Sequence, residues 1–188
     1  AAVMAHSLAM VGIGDAASTR RTFADLVTAS YFSVMGVTPI QGRVFLPEEE
    51  KPGSNPGVAI VSHSYWEKQG LNPGLLNSKI MINSRPFTVV GILPKGFTGT
   101  MQIFAPEIWL PLGSYDQVAN DFESDNRTAL GDRKGTQLLI IARLKPGVTA
   151  AAAEPALKTL AANLEQAYPG EQKDQTLITT PLSRFSTS

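Results

Sequence analysis

The sequence predicts an α+β fold built on small sheets, and three features carry that expectation. Strand-like runs dominate the first half of the chain, for example "LAMVGIG" at 8–14 and "TFADLVT" at 22–28. An alternating hairpin pattern fills residues 79–93, "KIMINSRPFTVVGIL". A strand–helix–strand order closes the chain, without the regular strand–helix repeat of a doubly wound sheet.

The first two strands are joined by the polar turn "DAASTRR". In the second, Phe23, Leu26 and Val27 do not alternate cleanly, which weakens the pattern of a half-buried strand. A short helix, "YFSVMG", follows. Ser30 can cap it, because a serine hydroxyl accepts a free first-turn N–H. Gly36 suits a left-handed terminating residue, and Pro39 prevents the helix from resuming.

Residues 47–57, "PEEEKPGSNPG", hold three prolines and two glycines and read as a surface connection. The glutamates after Pro47 fit a solvated first helical turn, where the backbone dipole favours negative charge. "VAIVS" is a short buried strand, and "HSYWEKQG" a short helix with Tyr65 and Trp66 free to pack. In the hairpin, Ile80 and Ile82 alternate with Met81 and Asn83, "NSRP" turns, and "FTVVGIL" returns. Residues 94–107 are loop-rich, "IWLPL" is a brief strand ended by Pro111, and the polar stretch 113–136 reads as the most mobile part. "TQLLIIARL" is a strong strand, turned by "KPGV" into a helix whose Leu157, Leu160, Ala161, Leu164 and Tyr168 share one face. That helix starts either at a Thr149 cap, with Pro155 inside it, or at Glu154 with Pro155 as first residue. "QTLITTPL" reads as a last strand.

Composition narrows the function. Of the 188 residues, 43% are hydrophobic and 17% charged, enough apolar material for a sizeable core. Sixteen basic residues balance sixteen acidic ones, which removes the electrostatic footprint of a nucleic-acid partner. There is no cysteine, hence no disulfide, thiolate nucleophile or zinc–thiolate site. The chain opens on Ala1, as a fragment or a processed product would, and no apolar run is long enough to span a bilayer.

Chemistry-bearing motifs are sparse. "GIG" at 12–14 lacks the third glycine of a dinucleotide loop, and no phosphate-loop lysine motif occurs. His6 lies near the start, and His63 sits between two serines with no acid in the three preceding positions, so a helix-start role outweighs a catalytic one. Glu48, Glu49 and Glu50 point to different faces of one turn and make a poor cation cage. Asp116, Asp121, Glu123, Asp125 and Asp132 do not match a calcium-loop spacing. Asn126-Arg127-Thr128 is a formal glycosylation acceptor, and Trp66 and Trp109 fit a core role better than a ligand platform. No catalytic, cofactor or metal residue emerges, and a non-enzymatic role is expected.

Five ordered blocks carry a family resemblance: "VTASYFSVMGVTPIQGRVFLPEEE", "VAIVSHSYWEKQ", "NPGLLNSKIMINSRPFTVVGILPKGF", "IWLPL" and "LLIIARLKPGVTAAAAEPALKTLAANLEQAYP". Together they resemble the MacB-like periplasmic core domain of FtsX/MacB-type ABC transporter permeases, most of all the acidobacterial-type permease branch. The resemblance covers roughly residues 8–182. It implies two small mixed subdomains: a discontinuous Porter-like part, 1–58 and 136–188, built of βαβ units and interrupted by a Sabre-like part, 59–135. It also implies a periplasmic position in an inner-membrane protein, with both ends leading towards membrane helices. The domain would transmit movement driven by a cytoplasmic ATP-binding subunit or domain, with a second permease copy or a periplasmic adaptor as further partner. The motif residues it singles out as structural are Tyr31, Phe32, Gly36, Gly42, Arg43, Pro86, Gly91 and Pro94. Asn77 stands where the family commonly has glycine, a position asparagine tolerates because it enters the left-handed region more readily than other side chains. The runner-up reading is a module that binds a lipoprotein, a peptide or a small hydrophobic substrate in a cleft between subdomains, and a hydrolase using His63 or a carboxylate pair is the third.

Overall fold

Among the described residues, eight strands join into one sheet, and six of them return on themselves to form a ring. The computed structural model describes residues 2–14, 18–100, 105–118, 129–135 and 138–182. In chain order the elements are β1 (Ala2–Ile13), β2 (Arg20–Val27), α1 (Tyr31–Met35), β3 (Gln41–Gly42), β4 (Val58–Val61), α2 (His63–Lys68), β5 (Lys79–Ile82), β6 (Arg85–Ile92), β7 (Ile108–Pro111), β8 (Leu139–Arg143) and α3 (Ala150–Ala167). The path β2-β7-β4-β6-β5-β1 closes through a second pairing of β1 with β2. Pairs β2–β7 and β4–β6 are parallel and the other ring pairs antiparallel. β8 extends from the free half of β1, and β3 leans on β6. The fold is thus mixed α+β, as expected. The sheet takes strands from both segments assigned above to separate subdomains, since β2 pairs with β7 and β4 begins at the division itself.

Strand alternation divides the core in two. Inward positions such as Ala9, Val11, Leu26, Val61, Ile82, Val89 and Leu110 fill the ring, as inward side chains fill small barrels. Outward positions of β2, β4, β6 and β7 (Val27, Ile60, Val90 and Trp109) form a second cluster under α1. This two-sided burial explains why β2 lacks alternation: Ala24, Asp25, Leu26 and Val27 are all buried, on opposite faces. An irregularity in the β4–β6 pairing skips Val90; Val89 faces the ring and Val90 faces α1.

Several expectations need correction. β1 starts at Ala2, well before residue 8; His6, buried on the face turned to Tyr31, interrupts the apolar pattern that would have shown it. Ser30 stands before α1 but makes no capping bond; its hydroxyl donates to the Val3 carbonyl at 2.8 Å and ties the helix to β1. Gly36 does end α1, at φ 73°. The hairpin turns on Asn83 and Ser84 alone, both at positive φ, so Arg85 and Pro86 already belong to β6. Asn77 adopts φ 65°. Residues Leu112–Gln117 form a buried 3₁₀ segment, where a mobile loop was expected, because Leu112 and Tyr115 close one end of the ring core. Asp121, Glu123, Asp125 and the 126–128 acceptor lie outside the described residues.

At the chain's end Thr149 is the cap, its Oγ1 accepting from Ala152 N–H at 3.2 Å, and Pro155 sits inside the helix. The stripe on α3 is present in sequence but none of its residues is buried. "QTLITTPL" is not a strand: no ladder partner takes up residues 175–182.

Gly42 and Gly91 face each other across the β3–β6 pair, and neither leaves room for a side chain. A Cβ at Gly42 would meet the Val90 carbonyl oxygen at 2.1 Å, and one at Gly91 would meet that of Arg43 at 2.5 Å. Gly36 has open space around it and a left-handed φ only. Gly42→Ala should therefore cost about 2–4 kcal/mol, combining strain with displaced backbone. Gly36→Ala should cost about 1 kcal/mol, the left-handed penalty alone. Urea unfolding of the two variants checks the order; equal losses would mean that the close approach is not tight in solution.

Candidate functional site

The outer face under α1 gathers most of the motif residues. Tyr31 and Phe32 are fully buried, and their rings meet edge to face at 5.2 Å. Phe32 also packs against Phe45 at 6.0 Å and Trp109 at 6.3 Å. This cluster fixes α1, only five residues long, which could not persist as an isolated helix.

Arg43 follows the β3 contact and clamps the 47–50 turn. Its Nη1 and Nη2 donate to Glu49 Oε2 and Oε1 at 3.0 and 2.7 Å, and Leu46 N–H donates to the same carboxylate at 2.8 Å. Burial alone would raise the Glu49 carboxyl, but Arg43 and the Leu46 amide outweigh it and hold it below its ordinary value. The expected solvated first turn is thus replaced by a paired one. Glu49 is buried, and Glu50 accepts the Ala29 N–H at 2.6 Å. Pro86 and Pro94 lie at opposite ends of β6; Pro86 is exposed opposite Met81, and Pro94 accepts from Phe97 N–H at 3.3 Å.

Beneath Tyr31 lies a polar group that sequence reasoning missed. His6 Nδ1 is 2.8 Å from Asp25 Oδ1, and His6 Nε2 is 3.3 Å from Thr100 Oγ1. His6, Asp25 and Thr100 are 1%, 1% and 3% exposed. The β1–β2 register sets Val27 opposite His6 and Asp25 opposite Leu8, which makes His6 and Asp25 diagonal neighbours. The Tyr31 hydroxyl and the Trp109 indole nitrogen are buried nearby and meet no partner in hydrogen-bond geometry among the described residues. Burial pushes the Asp25 carboxyl up, against the pull of His6, and burial with the Asp25 charge pushes the Tyr31 phenol up. The order Asp–His–Thr matches a nucleophilic triad in sequence of contacts, but all three members are sealed from solvent, which suits a structural polar core better than an acyl-transfer site. A histidine and an aspartate inside otherwise apolar strands were the available signal.

His63 starts α2 as expected, after a Ser62 cap that accepts from Tyr65 N–H at 3.0 Å. Its Nδ1 lies 3.3 Å from Glu67, outside hydrogen-bond geometry. Among the described residues no group of three His, Cys, Asp or Glu side chains could hold a metal ion.

Next to α1, a groove of about 580 Å³ is lined by Met4, Val37, Phe97, Ile141, Arg143 and Leu182, among others. Arg143 Nε donates to the Val34 carbonyl at 2.8 Å, linking β8 to α1.

Removing one member of the buried pair should be far worse than removing both. Asp25→Ala leaves a buried imidazole without its partner and should cost about 3–5 kcal/mol. His6→Leu combined with Asp25→Leu should return to within about 1–2 kcal/mol of the parent, because well-packed apolar replacements often offset a buried pair. Denaturant unfolding of the single and double variants decides; a double variant as unstable as Asp25→Ala would show that the pair does more than satisfy itself.

Comparison with known proteins agrees with this architecture. The family model of the MacB-like periplasmic core domain matches residues 1–160. Among solved structures, the chain is similar to the periplasmic region of MacB from Actinobacillus actinomycetemcomitans, with a TM-score of 0.60 at 16% identity, covering 90% of this chain and 68% of that one. It is similar to the extracellular domain of the noncanonic ABC-type transporter YknZ from Gram-positive bacteria, with a TM-score of 0.61 at 15% identity and coverage of 93% and 80%. A domain of a permease protein from Porphyromonas gingivalis gives a TM-score of 0.65 at 16% identity, with coverage of 99% and 78%. No curated protein matches. At these identities the solved structures establish the fold, while the family model spans most of the sequence: the chain belongs to the MacB-like periplasmic core domain family.

Proposed function

We propose that this domain is the non-catalytic, extracytoplasmic part of an FtsX/MacB-type ABC transporter permease and carries conformational change outward from the membrane. ATP hydrolysis by a cytoplasmic subunit or domain would drive it indirectly, through membrane helices joined to both of its ends. No helix among the described residues is itself long and apolar enough to cross a membrane. A second permease copy or a periplasmic adaptor is the direct partner this role calls for.

The placement of the two ends carries the reading. β1 begins opposite the end of β8, with Ala2 beside Arg143, and Leu182 lines the same groove as Met4 and Arg143. Ala2 and Leu182, the outermost described residues, therefore lie on one side of the ring, so a push on that side would turn the whole sheet. A body that changes orientation between discrete states needs such stiffness, and needs no reactive side chain. The apolar groove at this side favours the runner-up, a binding module.

The experiment is a distance measurement in the full-length transporter. A fluorophore on Lys79→Cys, at the exposed start of β5, should change its energy transfer to a labelled lipid when ATP is added. Identical transfer with and without ATP would remove the transmitting role and leave the binding module standing.

A further inference from the structure

We propose that the groove between α1, the 96–99 loop and β8 binds a single-chain amphiphile with a carboxylate head. The inference does not depend on the transmitting role. The walls supply the apolar half of the ligand: Met35, Val37, Phe97 and Ile141 are each only partly buried and pack onto the second core cluster. A volume of about 580 Å³ falls within the range of ordinary small-molecule sites, roughly 300–1,000 Å³. That is room for one alkyl chain, and too little for a two-chain phospholipid.

Charge supplies the other half. Arg143 is the charged residue of the lining, and the ion pairs among the described residues leave it without a carboxylate. Its Nε–H is bound to the Val34 carbonyl, which holds the guanidinium against α1 at the groove's edge. A planar guanidinium fixed by one bond keeps its other donors for a carboxylate, which it can meet with two parallel hydrogen bonds. Among the described residues, no acidic side chain lines the groove to repel an anion. Leu182, from the segment that forms no strand, covers one side and is itself 41% exposed. The groove is thus mostly apolar with a single cationic side chain in its lining, which is the complement of a fatty acid and not of a neutral or cationic detergent.

Titration calorimetry of the 188-residue chain with sodium laurate, dodecylammonium and dodecanol, each below its micelle threshold, tests this. Laurate should bind saturably at one site, and at least about tenfold more tightly than dodecylammonium, the worth of a charge-assisted contact. Arg143→Gln should weaken laurate about tenfold while leaving dodecanol unchanged. Thr98→Trp, on the groove's loop, should abolish binding of both; Val37→Trp serves the same purpose from the α1 side, with circular dichroism showing that each variant is folded. The proposal fails if laurate shows no saturable binding, if dodecylammonium binds as well as laurate, if Arg143→Gln leaves laurate affinity intact, or if folded plug variants still bind.

Discussion

The architecture depends on the closure of the sheet between β1 and β5. That seam is short: Ile13 and Ile82 are its one ladder pair, reinforced by Gly14 N–H to the Met81 carbonyl at 3.1 Å and Asn83 N–H to the Gly12 carbonyl at 2.8 Å. The Asn83 side chain adds a bond of its own, accepting the Gly12 N–H at 2.8 Å. Closure removes the edges that an open sheet would present, and encloses a core that the strands fill with alternate side chains. An open sheet would expose Val11, Ile13, Ile80 and Ile82, all now buried. Asn83 therefore serves twice, as a left-handed turn residue in the β5–β6 hairpin and as the side chain that joins the hairpin to β1.

A second layer builds outward from that ring. The Gly42–Gly91 approach lets β3 lie against β6, Arg43 then reaches Glu49, and the turn so fixed passes Glu50 to the Ala29 amide at the root of α1. From there Ser30 returns to β1 through Val3, and Arg143 joins β8 to the other end of α1. The short helix is thus held by polar bonds on several sides and by aromatic packing below. Like β1, it touches the ring, the buried His6–Asp25 pair and the groove.

Much of this was visible in the sequence, where local rules suffice. The 79–93 hairpin, the β4 strand, the α2 helix and the Gly36 stop each rest on near-neighbour chemistry, and each is found. What sequence could not show is tertiary. The ring needs β2 to pair with β7, more than eighty positions later in register (Ala24 with Ile108), and no local pattern encodes that. Buried polar residues were misread for the same reason: Glu49 looked solvated because Arg43's reach was unseen, and His6 looked terminal because Asp25 meets it only across the β1–β2 pair. The strand expected at 175–182 failed in the opposite way. Its β-branched composition is real, but composition cannot supply a partner edge.

The central claim is that the closed ring and the α1 face move as one stiff body. Hydrogen–deuterium exchange on the full-length transporter, with and without ATP, tests it most directly, because amide protection reports opening of each ladder. The account predicts equal protection in both states for β2, β4, β6 and β7, with changes confined to the start of β1, β8 and the 175–182 segment. Loss of protection across the ring strands on adding ATP would contradict it, and would mean that the domain works by opening rather than by turning.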